Sequence, residues 1–120
     1  MKVLIVESNE ELGTLWERHL TREGFAVQRA ADADSAVDLV AKGSFAVVIL
    51  DLNLESGSPL AVADYVSYRQ PSARIVFVTR RSFFTDGSIF SLSPSACAYL
   101  PAHTPPEDLT AIIEHYGQAS

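Results

Sequence analysis

The chain is 120 residues long, the length of one ordinary domain, and leaves no room for a second. Hydrophobic residues make up 48% and charged residues 20%, which is enough apolar material for a packed core and too much for a disordered chain. The net charge of -6, with Arg80 and Arg81 as its one adjacent basic pair, argues against a nucleic-acid-binding face, and the single cysteine, Cys97, excludes an internal disulfide framework or a cysteine-built zinc site.

In chain order, MKVLIVESNEELG opens with a short apolar strand, VLIV at 3–6, cut off by Glu7. A secretory signal needs an apolar run of roughly 7 to 15 residues, so a cytoplasmic location is expected, in keeping with the lone cysteine. Leu12, Leu15, Trp16, His19 and Leu20 then recur at helical spacing, with Ser8 and Glu11 in the pattern of a capping box and Gly24 past the end. A strand follows at 25–30 (FAVQRA), then a helix whose stripe is Ala33, Ala36, Val37, Val40 and Ala41. FAVVIL at 45–50 is almost wholly apolar, as a parallel strand covered on both faces must be. The next helix is expected to begin near Pro59 and stop before Pro71, because proline cannot continue the hydrogen-bond ladder and disfavours a helical residue before it.

RIVFV at 74–78 reads as the fourth strand and CAYL at 97–100 as the fifth. Between them SFFTDGSIFSLSPS is a poor helix, weakened by Gly87 and repeated serines and closed by Pro94. Leu109, Ile112, Ile113 and Tyr116 mark a last helix, and residues 117–120 form a short tail to a core spanning 2–116. No run approaches the ~20 apolar residues that span a bilayer, so no membrane segment is expected.

Five alternations of strand and helix predict a three-layer α/β domain with a doubly wound parallel sheet, and in such sheets ligands bind beyond the carboxyl ends of the strands. The residues at those ends are Glu7 and Ser8, then Asp51 and Asn53, then Thr79, then Ala102 and His103. An acid directly after a fully apolar strand is costly to bury and points to a site, although Asp51 also has the plain reading of a loop carboxylate.

On VLIVESN, VVILDLNL, IVFVT and AYLPAHTPPEDL, at matching intervals over residues 2–116, the chain resembles the receiver domain of two-component response regulators, modules of bacterial signalling. The resemblance implies strand order 2-1-3-4-5, an aspartate that takes a phosphoryl group from the phosphohistidine of a sensor histidine kinase or phosphotransfer protein, and bound Mg²⁺. It makes Asp51 the phosphoacceptor. Glu7, Asp51 and the backbone carbonyl of Asn53 become the metal ligands, Thr79 the hydrogen-bond partner of the phosphoryl oxygens, and Tyr99 the aromatic switch.

Several positions depart from the family pattern. Ser8 stands in place of the second acidic residue, so Mg²⁺, which favours carboxylate oxygens and retained waters, is expected to bind weakly or not at all. Ala102 stands in place of the lysine and His103 in place of the following proline, so a charge-assisted bond to the phosphoryl group is missing. Arg80 replaces a small residue beside Thr79, and Glu55 a common proline. One reading folds Arg80 over Asp51 as a substitute cation, and His103 is a second candidate for that part; the other reading leaves Arg80 and Arg81 in solvent.

The plain readings of the remaining residues are structural. Thr79 is a β-branched strand residue, Tyr99 an amphipathic core residue, Cys97 a buried strand residue, His19 a residue at the margin of the first helix's apolar stripe, and His115 a residue near the last turn of the last helix, where a cation is favourable. Phe83, Phe84, Ile89, Phe90 and Leu92 lie in the weak helix, and any that remain exposed would form an apolar docking or dimer face running from Phe83 to Tyr99. The reading taken forward is a stand-alone, non-enzymatic receiver in a phosphorelay that signals through a downstream protein partner. Its alternative is a pseudo-receiver that binds partners without phosphorylation. A flavodoxin-like cofactor binder shares the sheet order, but the three carboxylates of ESNEELG oppose a phosphate cradle there.

Overall fold

The computed structural model describes residues 1–79, 96–101 and 104–117. Strand β1 (Lys2–Val6) is followed by helix α1 (Glu10–Arg22), β2 (Ala26–Ala30), α2 (Ala33–Lys42), β3 (Val47–Asp51), α3 (Pro59–Arg69), β4 (Arg74–Thr79), β5 (Ala96–Pro101) and α4 (Pro106–Gly117). All neighbouring strands pair in parallel, a doubly wound arrangement as the alternation of elements predicts, and their order, β2-β1-β3-β4-β5, is the one the resemblance implies. The β4–β5 register shifts once, between Ile75 and Val76. The weak helix read at 82–95, Arg80, Ala102, His103 and residues 118–120 lie outside the described residues.

Period-two alternation divides the sheet between two apolar clusters. Leu4, Val6, Val48, Leu50, Ile75 and Phe77 pack on one face with residues of α2 and α3, among them Ala36, Val40, Val62 and Val66. Val3, Ile5, Val47, Ile49, Val76 and Val78 pack on the other with Trp16 and Leu20 of α1 and Leu109 and Ile113 of α4. The central strand β3 is buried along its whole length, as its unbroken apolar run requires, whereas β2 at the edge exposes Ala26 and Gln28.

The helix ends follow local chemistry, with one correction. α3 begins with Pro59 behind the cap Ser58, whose hydroxyl accepts from the Ala61 N–H, and it ends at Arg69 before Pro71. α2 is capped by Asp32. The cap of α1, however, is Asn9 and not Ser8: Asn9 Oδ1 accepts from the Leu12 N–H at 2.9 Å. Serine and asparagine cap about equally well, and the hydroxyl of Ser8 is engaged elsewhere. The buried face of α1 is Gly13, Trp16 and Leu20, while Leu15, about 100° round the helix from Trp16, is 48% exposed. Ala41, expected in the stripe of α2, is also exposed.

Candidate functional site

The ladder between β1 and β2 runs one residue past the strand, with the Glu7 N–H donating to the Ala30 carbonyl at 3.0 Å. Val6 is in register with Leu50, so the next step along both strands sets Glu7 beside Asp51. Glu7 is in phase with Val3 and Ile5, and Asp51 with Val47 and Ile49, all four of which belong to the same cluster. The two acids therefore stand at the carboxyl end of adjacent strands, on the face covered by α1 and α4. Asp51 is 0% exposed and Glu7 6%.

Buried carboxylates need donors, and backbone amides supply them here. Asp51 Oδ1 accepts from the Asn53 N–H at 2.8 Å, and Glu7 Oε2 from the Asn9 N–H at 3.0 Å. Asn9 is the cap of α1, so Glu7 also sits at the positive end of that helix. Leu52 N–H donates to the Val78 carbonyl at 2.8 Å, which extends the β3–β4 pairing past Asp51. Val78 is the register partner of Asp51, and Thr79, buried, comes directly after it. Tyr99 lies on β5 in register with Phe77, deeper in the sheet than the strand ends.

Ser8 does not face the acids as a free ligand. Its hydroxyl donates to the Ala31 carbonyl at 2.9 Å and accepts from the Glu55 N–H at 3.0 Å, linking the loop after β2 to the loop after β3. Arg29 passes the same edge: a Cβ added to Gly13 would lie 3.1 Å from Arg29 Nη1 and 3.8 Å from Glu7 Cβ. The Arg29 guanidinium is fastened to α1 by Thr14 Oγ1 at 2.8 Å and by Glu17 at 3.3 Å.

Of the residues singled out in the sequence, the fold thus gathers Glu7, Asp51, the Asn53 backbone and Thr79 at one sheet edge. Ser8 is there too, as a tie between loops. Arg80, Ala102 and His103 are outside the described residues. Asn9 and Arg29 were not singled out. Asn9 had a signal, because an asparagine directly before a helical period is a cap, but the ties of Arg29 to α1 have none in the local sequence.

Two buried carboxylates side by side at one strand end repel each other, and a cation between them would be favourable. Among the described residues no three His, Cys, Asp or Glu side chains converge, so the oxygen set is a pair of carboxylates. That set suits a hydrated Mg²⁺, which takes one or two carboxylates and keeps several waters. The engaged hydroxyl of Ser8 adds nothing to it.

A family model described as the response regulator receiver domain matches residues 3–114. The chain is 31% identical to the transcriptional regulatory protein TctD of Salmonella typhimurium over 92% of its own length and 49% of that protein. It is 35% identical to the uncharacterized transcriptional regulatory protein YrkP of Bacillus subtilis over 71% of its length and 36% of that protein, so it spans half or less of these curated relatives. Among solved structures, a CheY-like receiver domain protein from Methanospirillum hungatei superposes with a TM-score of 0.87 at 23% identity, covering 97% of this chain and 92% of that one. A response regulator from Burkholderia pseudomallei, described with a phosphorylated aspartic acid, a calcium ion and citrate, gives 0.82 at 27% identity over 92% of this chain and 64% of its own. Among the described residues, no helix is long and apolar enough to cross a membrane.

Proposed function

The chain belongs to the response regulator receiver family of two-component systems, and on that premise we propose that Asp51 accepts a phosphoryl group from the phosphohistidine of a sensor histidine kinase or phosphotransfer protein. A carboxylate oxygen of Asp51 attacks phosphorus, the P–N bond to the donor imidazole breaks, and an acyl phosphate forms while the imidazole nitrogen keeps the bonding pair. The observation that carries this reading is the fully buried carboxylate ending β3 next to the buried carboxylate of Glu7. The Burkholderia relative, described with a phosphorylated aspartic acid and a divalent ion, supports it.

Bringing a phosphoryl group to two carboxylates concentrates negative charge, and a bound Mg²⁺ would neutralise it. Glu7, Asp51 and the Asn53 carbonyl would hold that ion, weakly for want of the acid that Ser8 replaces. Thr79 would hydrogen-bond the phosphoryl oxygens and Tyr99 would respond to them. With Ala102 in the lysine position, Arg80 or His103 is left to supply a cation. The module signals in the cytoplasm by contact with a downstream protein or a second copy, and performs no turnover of its own.

The second reading is a phosphorylation-independent pseudo-receiver, favoured by the Ser8 hydroxyl bonded to two loops where a metal-binding acid would stand. Intact-mass spectrometry after incubation with acetyl phosphate or phosphoramidate separates the two. A phosphoryl adduct that requires Mg²⁺ and disappears in Asp51→Asn is the expected result. No adduct with either donor, together with no Mg²⁺ binding by titration, selects the pseudo-receiver.

A further inference from the structure

Arg29 is in register with Ile5, so its side chain leaves β2 on the sheet face that carries Glu7 and Asp51, one strand to the side and two residues short of Glu7. From there the guanidinium lies against α1. Nη1 donates to Thr14 Oγ1 at 2.8 Å and to the Glu10 carbonyl at 3.4 Å, and Nε pairs with Glu17 at 3.3 Å. Glu10, Thr14 and Glu17 follow one another at i, i+4 and i+7, so one side chain of β2 grips one side of the first two turns of α1. Gly13 makes the room, because the Cβ it lacks would come 3.1 Å from Arg29 Nη1 and 3.6 Å from its Cδ.

Apolar burial seats α1 further along. Glu10 and Glu11 are exposed and Leu12 is half-buried, and the first fully buried large side chain of the helix is Trp16. Yet the start of α1 carries the donor to Glu7. The cap Asn9 gives its N–H to Glu7 Oε2 at 3.0 Å, while its Oδ1 accepts from the Leu12 N–H at 2.9 Å and its carbonyl from the Gly13 N–H at 3.0 Å. Asn9 is thus bonded into the first turn, and a shift of that turn takes the donor away from the carboxylate.

We propose that Arg29 is a positioning residue for Glu7: held by Thr14 and Glu17, it fixes the first turns of α1 against β2 and so keeps the Asn9 N–H on the Glu7 carboxylate. The proposal deepens the reading of Glu7 as a metal ligand and rests on it for its functional meaning. Hydrogen bonds one step removed from a metal orient its ligands, and losing one typically costs about 10–100-fold in metal affinity.

The test follows the Asn9 amide by hydrogen exchange in the whole chain, in EDTA and without a phosphoryl donor. Thr14→Val removes the acceptor and keeps the shape, and Arg29→Met removes the guanidinium and keeps an apolar stem. Each is expected to speed Asn9 exchange by roughly threefold to tenfold, the worth of one hydrogen bond. The double variant is expected to go no further than Arg29→Met alone, and Thr14→Ser, which keeps the hydroxyl, to match the wild type. Gln70→Ala removes hydrogen bonds at the opposite end of the domain and is expected to leave Asn9 at the wild-type rate. Arg29→Met also removes a positive charge, which by itself favours a cation, so Mg²⁺ is titrated into Thr14→Val, where affinity is expected to fall roughly tenfold.

Asn9 exchange at the wild-type rate in Thr14→Val or in Arg29→Met overturns the proposal. So does an equal rise in Gln70→Ala, a Thr14→Ser variant that behaves like Thr14→Val, single effects that add in the double variant, or unchanged Mg²⁺ affinity in Thr14→Val. No Mg²⁺ binding by the wild type, with the exchange effects intact, removes the metal reading of Glu7 and leaves its orientation by Arg29.

Discussion

Gly57, at φ +86°, lies so close to Ala33 that a Cβ on the glycine would overlap the alanine methyl group. The contact joins the loop following Asp51 to the first turn of α2, in the same place where the Ala33 N–H reaches the Ser56 carbonyl. Gly57→Ala is therefore expected to destabilise the fold twice over. A side chain at positive φ costs roughly 1–2 kcal/mol, and overpacking typically costs about 1–3 kcal/mol. Urea melts should show a loss of about 2–5 kcal/mol. Adding Ala33→Gly should recover the packing part and leave the backbone part, and a double mutant with no recovery would show that the contact is not tight in solution.

Most of the architecture was legible because it is written in short-range pattern. The apolar run ending in Asp51 announced a central strand with an acid at its tip, and Pro59 and Pro71 bracketed α3. The cap of α1 is ambiguous in the sequence because ESN offers two capping residues one position apart. Ser8 with Glu11 satisfies the capping-box pattern, yet Asn9 makes the bond, since the Ser8 hydroxyl is bonded to residues 23 and 47 positions away. No local rule carries such a contact. Spacing alone puts Leu15 in the core, yet it is exposed, because the buried stripe of α1 runs through Gly13, where Arg29 and Glu7 come close.

The amide of Gln70 is a second long-range feature, and it forms three hydrogen bonds at the end of the domain away from the acids. Its Oε1 accepts from the Phe45 N–H at 2.8 Å, while Nε2 donates to the Val40 carbonyl at 2.9 Å and to the Gly43 carbonyl. These bonds join the end of α2, the approach to β3 and the end of α3. At about 1 kcal/mol net for each bond, Gln70→Ala is expected to cost about 2–4 kcal/mol in chemical denaturation. Gln70→Glu keeps the bond from Phe45 but turns an oxygen on two carbonyls. It should be comparably destabilised at neutral pH and regain stability as acid protonates it. A pH-independent loss would show that the two carbonyls are not its neighbours.

Asp32, the cap of α2, gives a pH dependence that can be isolated. The backbone hydrogen bond from Ser35, and secondarily the Ser35 side chain, hold its carboxyl below the ordinary value of 3.8, against a small opposing effect of burial. A carboxylate lowered on folding stabilises the native state above its unfolded pKa, and that contribution fades as pH falls through the folded value. Asparagine also caps helices but does not titrate in this range. Asp32→Asn should therefore sit close to wild type at neutral pH, and the difference in stability between the two should shift in favour of the variant as pH drops from about 5 to about 2.5. Parallel stability curves across that range would show that the cap is not formed in solution.

Ser8→Asp sets the two loop hydrogen bonds of the Ser8 hydroxyl against a gain in metal binding. The aspartate would add a third carboxylate beside Glu7 and Asp51, which favours a divalent ion by charge count. It would also remove the proton that Ser8 gives to the Ala31 carbonyl and set like charge against it, a change that costs about 1–3 kcal/mol for a polar group left without its partner. The variant should therefore be less stable than wild type in EDTA. A ligand that binds only the folded state adds RT ln(1 + [L]/Kd), about 2.7 kcal/mol at a hundredfold excess over Kd, so Mg²⁺ can offset a loss of this size. Thermal melts with and without Mg²⁺ should show a larger metal-dependent rise for Ser8→Asp than for the wild type, and calorimetric titration should show tighter Mg²⁺ binding. If wild type gains as much from Mg²⁺ as the variant does, the two native acids already bind the ion well and the serine costs the site nothing.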